Sequence, residues 1–325
     1  MLASMVKGLH ALTALCIYPA VLGGACALWA VLHHGGLDAS LAALGTQLSV
    51  ALVIWGLERG LPHALKWQEP HGDRRTDALH LGVSLLISAG IVRLLRAFAP
   101  PLLAGQLSGL LWQHSLGARL WPAVASASSP SGHPAILWPH ALPLPLQLLL
   151  ALVLAELGAY IAHRLLHQHP RLWPFHAVHH SAQRLYFINA SRNHPVDMAI
   201  SVFATFFPLV MLGMGETAFA LFSVFTSTHL LLQHSNIAQQ TGPLNWIFAT
   251  AEVHRWHHSR KRLEADANYG QVLLIWDVMF GTRRVPSHRS PPIAVGFQGD
   301  ETYPHSYLAQ LSEPFRHLAE DDASP

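Results

Sequence analysis

The chain has 325 residues, of which 51% are hydrophobic and only 12% charged, and its mean hydropathy is +0.29. Ordinary soluble domains carry about 25% charged residues, so a water-soluble globule is excluded, and a net charge of +2 provides no basic field for nucleic acid as a partner. Histidine is the anomaly: its 24 copies outnumber the 20 Lys and Arg together.

A membrane-crossing helix needs about 20 mostly apolar residues. Residues 9–32 and 37–57 meet that length on either side of the polar link His33-His34-Gly35-Gly36. The first run is too long for the apolar part of a signal peptide and is read as an uncleaved span. Its Cys16 and Cys26 lack the spacing of a zinc or redox motif and are read as core or lipid-facing. A third span is expected over 79–95. Residues 105–134, rich in Ser, Gly, Pro and Ala, read as an irregular loop. A fourth span, the most Leu/Ala-rich, covers 144–162. The run 198–232 is too long for one crossing and is broken by Gly213-Met214-Gly215-Glu216, which predicts a helical hairpin. After Gln233 no stretch could span, so residues 234–325 are expected outside the bilayer apart from packed or interfacial pieces.

Charge placement predicts an orientation. Lys66, Arg74 and Arg75 lie between the second and third spans, whereas the link between the first two holds neither Lys nor Arg. Arg164, Arg171, Arg184 and Arg192 follow the fourth span, and Arg255, Arg260, Lys261 and Arg262 come later. This predicts a cytoplasmic N-terminus and a cytoplasmic histidine-rich region, although Arg93, Arg96 and Arg119 fall on the other side. The run Arg260-Lys261-Arg262 reads as a solvated, headgroup-facing patch.

Half of the histidines, 12 of 24, fall between positions 163 and 258. His163 and His167 are four residues apart at the end of the fourth span, which stacks two imidazoles on one helical face. His176, His179 and His180 form H-x-x-H-H, and His254, His257 and His258 repeat it. Imidazole suits zinc, iron, copper and nickel rather than magnesium or calcium. Eight such nitrogens exceed the needs of one tetrahedral zinc and suit two metals of higher coordination number. Ligands without charge leave the metals electron-poor, which favours oxidising chemistry. Glu156, Tyr160, His163 and His167 share one helical face. An ionisable residue inside a span usually faces a functional interior, so Glu156 is expected to orient a histidine; Asp266 and Asp277 are similar candidates. His229 sits off the face of His234 and reads as a core or interface histidine.

The runs His163-Arg164-Leu165-Leu166-His167, His176-Ala177-Val178-His179-His180-Ser181 and His254-Arg255-Trp256-His257-His258-Ser259, in that order, resemble the fatty acid hydroxylase / sterol desaturase superfamily. So do Arg192-Asn193-His194-Pro195, Gln233-His234-Ser235-Asn236, Asp266-Ala267-Asn268-Tyr269-Gly270 and the segment from Ile275 to Thr282. The resemblance covers roughly residues 150–285. It implies an all-α, integral-membrane bundle of about four spans plus the hairpin, carrying a cytoplasmic histidine-lined di-metal site. It implies that His194 and His234 complete a ten-histidine set holding two iron ions, with zinc as the competing occupant of isolated protein. The implied activity is O2-dependent hydroxylation or desaturation of a fatty acyl, sterol or alkyl-ether lipid, hydroxylation being favoured. Where the family commonly has Asp, this chain has Glu156. The expected units are spans and loop at 1–140, a catalytic unit at 141–285 and a tail at 286–325.

No flavin fingerprint, haem-attachment motif or ferredoxin cysteine run is present, so electrons are expected from an external donor of ferredoxin or cytochrome b5 type. The expected setting is a bacterial inner membrane or the endoplasmic reticulum. The alternative, a histidine-rich membrane metal transporter or metal-binding protein, would distribute ligands along the spans rather than gather them at one end. A membrane zinc protease would need H-E-x-x-H, which is absent.

Overall fold

The computed structural model describes residues 2–102, 137–286 and 289–322; the loop expected at 105–134, with Arg119, lies outside them. The described residues are helical, with no strand and only isolated bridges such as Phe248 with Leu273. Four long helices come first: α1 (Leu2–His34), α2 (Ala39–Gly60), α3 (Arg74–Leu102) and α4 (Leu144–Gln168). Then follow α5 (Trp173–His180), α6 (Pro195–Met211), α7 (Glu216–His234), α8 (Ala251–His257), α9 (Arg262–Ala265), α10 (Ile275–Met279) and α11 (Tyr307–Asp322).

Among the described residues, four segments are long and apolar enough to cross a membrane: Ala14–His34, Ala39–Gly60, Arg74–Phe98 and Leu144–Gln168. These correspond to the four expected spans, and the last three run somewhat further than their expected apolar cores. The chain enters α2 through Asp38, whose carboxylate accepts from Ser40 N and Leu41 N and so satisfies two of the amides a helix start leaves open. The expected hairpin is α6 and α7, and Gly213 turns the chain at φ +80°, a conformation that favours glycine.

Packing places α6 between α3 and α4, and α7 against α1, α2 and α4. The α4–α6 crossing is close: a Cβ on Gly158 would sit 2.1 Å from Ala204 O, so only glycine fits there. One apolar core joins α1, α2 and α7 around Tyr18, Trp29, Ile54 and Val224. A second joins α4, α6 and α7 around Ala151, Leu152, Leu209 and Phe222. Outward, Leu48, Leu52, Leu85, Leu86 and Leu149 are exposed, as lipid-facing positions must be.

At one end of the bundle, buried ion pairs tie the link before α3 and the first turn of α3 to the segment after α5. Arg184 grips Asp73 at 2.6 and 2.7 Å, and Arg192 holds Asp77 at 2.5 Å. Glu58, near the end of α2, accepts from Phe187 N and Asn236 N. This end carries α5 and α8. α11 packs on α5 and α3. Within the later segment, α10 lies against α4, and the Trp276 indole donates to Val153 O.

Candidate metal centre

A 25-residue α4 is about 38 Å long at 1.5 Å per residue, whereas the hydrocarbon layer is about 30 Å thick. It is therefore longer than one crossing needs, and His163 and His167 lie in its last turns. There they meet α5, which brings His176, His179 and His180, and α8, which brings His254 and His257 with His258 at its end. His234 ends α7.

Nine buried histidines sort into two groups. His163, His167, His176, His180 and His257 form one, and His179, His234, His254 and His258 the other; in each, the potential ligand atoms lie within 4.8 Å of one another. The rings of His180 and His258 stack at 4.4 Å and join the groups. Each H-x-x-H-H box thus serves both sites: its middle and last histidines point to different groups.

The outer ring nitrogens are anchored. His163 Nδ1 lies 2.7 Å from Tyr269 O, His257 Nδ1 2.8 Å from Ala267 O, and His179 Nδ1 3.2 Å from Arg192 O. His176 Nδ1 is 2.9 Å from Asp197 and His167 Nδ1 3.2 Å from Asp266. His234 Nδ1 is 3.3 Å from Asn189 Oδ1, an oxygen that also accepts from Tyr186 N while the Asn189 amide donates to Arg184 O. Each of these partners is an acceptor, so each Nδ1 presents its proton outward and Nε2 is the nitrogen left for a ligand role. This is how metal-binding histidines are oriented.

The inward nitrogens show what is required between them. His163 Nε2 and His176 Nε2 face each other at 3.1 Å, two lone pairs that repel unless a cation lies between them. His254 and His234 approach at 2.8 Å, and His258 and His179 at 3.1 Å. His167 Nε2, His257 Nε2, His258 Nδ1 and both nitrogens of His180 have no hydrogen-bond partner, and an unmet buried group costs about 1–3 kcal/mol. A proton could satisfy one pair; a metal ion in each group would take one nitrogen from every ring at once. The residues fit two metals.

Burial, reinforced by neighbouring imidazoles, holds His179, His180, His254, His257 and His258 well below their ordinary value of 6.5. They are neutral at pH 7, the form that binds a metal.

His194 is the exception to the ten-histidine expectation. It joins neither group: its Nδ1 accepts from Val196 N as the N-cap of α6, and its Nε2 meets Leu311 O of α11. Both nitrogens are occupied by local structure, and Pro195 at the first helical position suits a helix start there. His229 pairs with Tyr18 at 2.7 Å, an interhelical contact. Of the three carboxylates singled out, Asp266 touches a histidine. Glu156 accepts from Gln271 N and Val272 N, and Asp277 from Tyr269 N and Gly270 N. These two hold the loop rather than a ring. Asn268, at φ 55°, turns that loop so that Ala267 O and Tyr269 O both aim at histidines; Asn tolerates this left-handed conformation. Asp197 and Asn189 are additions that sequence reasoning missed. An acid in the first turn of a helix is ordinary, so Asp197 gave no signal beyond its place two residues after Pro195.

Comparison with known proteins places this architecture. Residues 148–282 match the fatty acid hydroxylase family, and the chain is 35% identical over 269 residues to ornithine lipid hydroxylase OlsE of Rhizobium tropici, covering 82% of this chain and 74% of that protein. The chain belongs to the fatty acid hydroxylase family. This fatty acid hydroxylase family member is also similar to alkylglycerol monooxygenase of Caenorhabditis elegans, 30% identical over 46% of this chain and 29% of that protein. Methylsterol monooxygenase 1 of Rattus norvegicus is 29% identical over 40% of this chain and 44% of the relative. The chain thus spans less than half the length of the last two. No solved structure matches. All three alignments are to proteins named as hydroxylases or monooxygenases.

Proposed function

We propose that this protein holds two iron ions, one in each histidine group, and uses O2 and two external electrons to hydroxylate a polar-headgroup lipid of its own membrane. Family membership makes it an oxidoreductase, a hydroxylase of membrane lipid. The observation that carries the di-metal reading is the pair of buried groups, in which six rings are anchored at Nδ1 and turn Nε2 inward. Bound iron would supply the activation of O2. The chain's residues do the rest: nine imidazoles hold the metals without charge, and Asp197, Asp266 and the 267–269 carbonyls fix the rings. The reaction takes one oxygen atom into a C–H bond and releases the other as water, with two protons consumed.

Seating at the end of α4, where hydrocarbon meets headgroup, supports a substrate that never leaves the bilayer. The relative matched over most of the chain is named for ornithine lipid, so lipids with an amino-acid headgroup are the first class to test. We take residues 141–285 as the catalytic unit. The site end also carries Lys66, Arg74 and Arg75 on the link joined to it by the Asp73–Arg184 and Asp77–Arg192 pairs, which supports a cytoplasmic face.

The test is direct. Purified iron-loaded protein in lipid nanodiscs, given a reductant and isotopically labelled O2, should add one labelled oxygen atom to an ornithine-type lipid by mass spectrometry. A His257→Ala variant should form no product. Absence of labelled product and of O2 uptake across acyl, ether, sterol and amino-acid lipids would overturn the reading.

A further inference from the structure

If two electrons must enter a buried centre, the structure should contain a place where they arrive. Among the described residues, two aromatic side chains other than histidine contact the rings of the nine ligands. Tyr269 touches His163, His167 and His257 but is fully buried. Trp173 lies 5.3 Å from His167, 6.3 Å from His176 and 5.6 Å from His180, ring centre to ring centre, and is partly exposed. No such ring contacts His179, His234, His254 or His258 among the described residues. Electron transfer through protein weakens exponentially with distance. One partly exposed indole in contact with three histidines of one group is therefore a short aromatic path from the surface, and it ends at one group alone.

Basic side chains gather on the segment that anchors His167, the ring that Trp173 touches. Asp266, which anchors His167, is bridged by Arg262, whose side chain is 83% exposed. Lys261 beside it is 69% exposed, and Arg171 precedes Trp173 by two residues on exposed chain. Asp266 and Glu264 offset part of this charge, but both are mostly covered, at 31% and 13%. A basic segment beside a partly exposed conductor suits an acidic partner, whose approach it would steer.

We infer that Trp173 is the electron-entry residue, and that the surface around it, with Lys261 and Arg262, docks an acidic one-electron redox protein that feeds the five-histidine group first. Each transfer oxidises one reduced donor and delivers one electron; two transfers balance the two electrons the hydroxylation needs. This rests on the di-metal reading above.

The test uses the full-length iron-loaded protein in nanodiscs and a soluble [2Fe–2S] ferredoxin of net negative charge. Under anaerobic mixing, Trp173→Leu should slow oxidation of reduced ferredoxin at least tenfold, while reduction by methyl viologen and iron content stay as in wild type. Trp173→Phe, which keeps a ring, should stay within threefold of wild type and retain iron. On zinc-loaded protein, Lys261→Glu should weaken ferredoxin binding at least threefold at low salt, a difference that vanishes at high salt. Wild-type ferredoxin oxidation by Trp173→Leu would overturn the entry role, as would loss of iron in both Trp173 variants, which would make the indole only a seal. Unchanged ferredoxin affinity in Lys261→Glu, with less anionic phospholipid co-purifying, would assign the basic run to headgroups and overturn the docking surface. Failure of methyl viologen to reduce wild-type protein would instead count against the di-metal reading itself.

Discussion

Nine histidines of one residue type do different work because of what their outer nitrogens touch. Asp197 fixes His176 at 2.9 Å, and loss of such a partner typically costs 10–100-fold in metal affinity. Asp197→Asn should therefore weaken metal binding by about that factor in chelator competition; an unchanged affinity would remove Asp197 from the centre. His194 and His234 form a sharper pair. His234→Ala should lose metal from the four-histidine group, whereas His194→Ala should keep the full complement and lose only a helix cap, about 0.5–2 kcal/mol. Metal loss in His194→Ala would show that it is a ligand after all. Protons compete at the same nitrogens. Five rings are held below 6.5 by burial, so in metal-free protein the unfolded chain binds more protons as pH falls through that value. Stability is full above it and is lost below it. Metal-free protein should unfold at a lower temperature at about pH 5 than at about pH 7, and a flat profile would contradict the assigned neutrality.

At the scale of elements, the decisive pieces are a close helix crossing and a short loop. Gly158 brings α4 against α6, and α6 carries Asp197 to His176. Gly158→Val should lower the thermal midpoint in detergent, since overpacking costs about 1–3 kcal/mol and a 2.1 Å approach cannot be relieved by a rotamer change. An unchanged midpoint would mean that the helices separate freely. The loop over 266–272 is held by Glu156 and Asp277, and it holds His163 and His257 in turn. Glu156→Ala leaves two buried amides without acceptors, whereas Glu156→Gln leaves one. The Ala variant should accordingly be the less stable and the poorer in metal; equal behaviour would show that the carboxylate does not act through the loop. The face shared by Glu156 and the first two histidines was legible from 3.6-residue periodicity. Its indirect route to His163 was not, because the intermediary is a backbone carbonyl and any residue type supplies one.

For the molecule as a whole, the four spans and the α6–α7 hairpin were legible because apolar length and a Gly-Met-Gly break are local signals. The three histidine boxes were legible for the same reason. Their division into five and four was not: it depends on how α4, α5, α7 and α8 converge, and each H-x-x-H-H run sends histidines to both groups. His194 looked like a ligand because its sequence surroundings match the family pattern, and the structure uses it to start a helix and to seat α11. The arrangement gathers nine histidines at the end of α4, buried among their own rings, with Trp173 partly exposed beside them. The claim on which everything rests is that two metals, and specifically two irons, occupy the paired groups. Metal analysis with Mössbauer spectroscopy on protein loaded anaerobically with ferrous iron tests it directly. The account predicts two iron ions per chain in nitrogen-rich sites, with the count falling in His257→Ala; a single zinc per chain that persists after iron loading would contradict it.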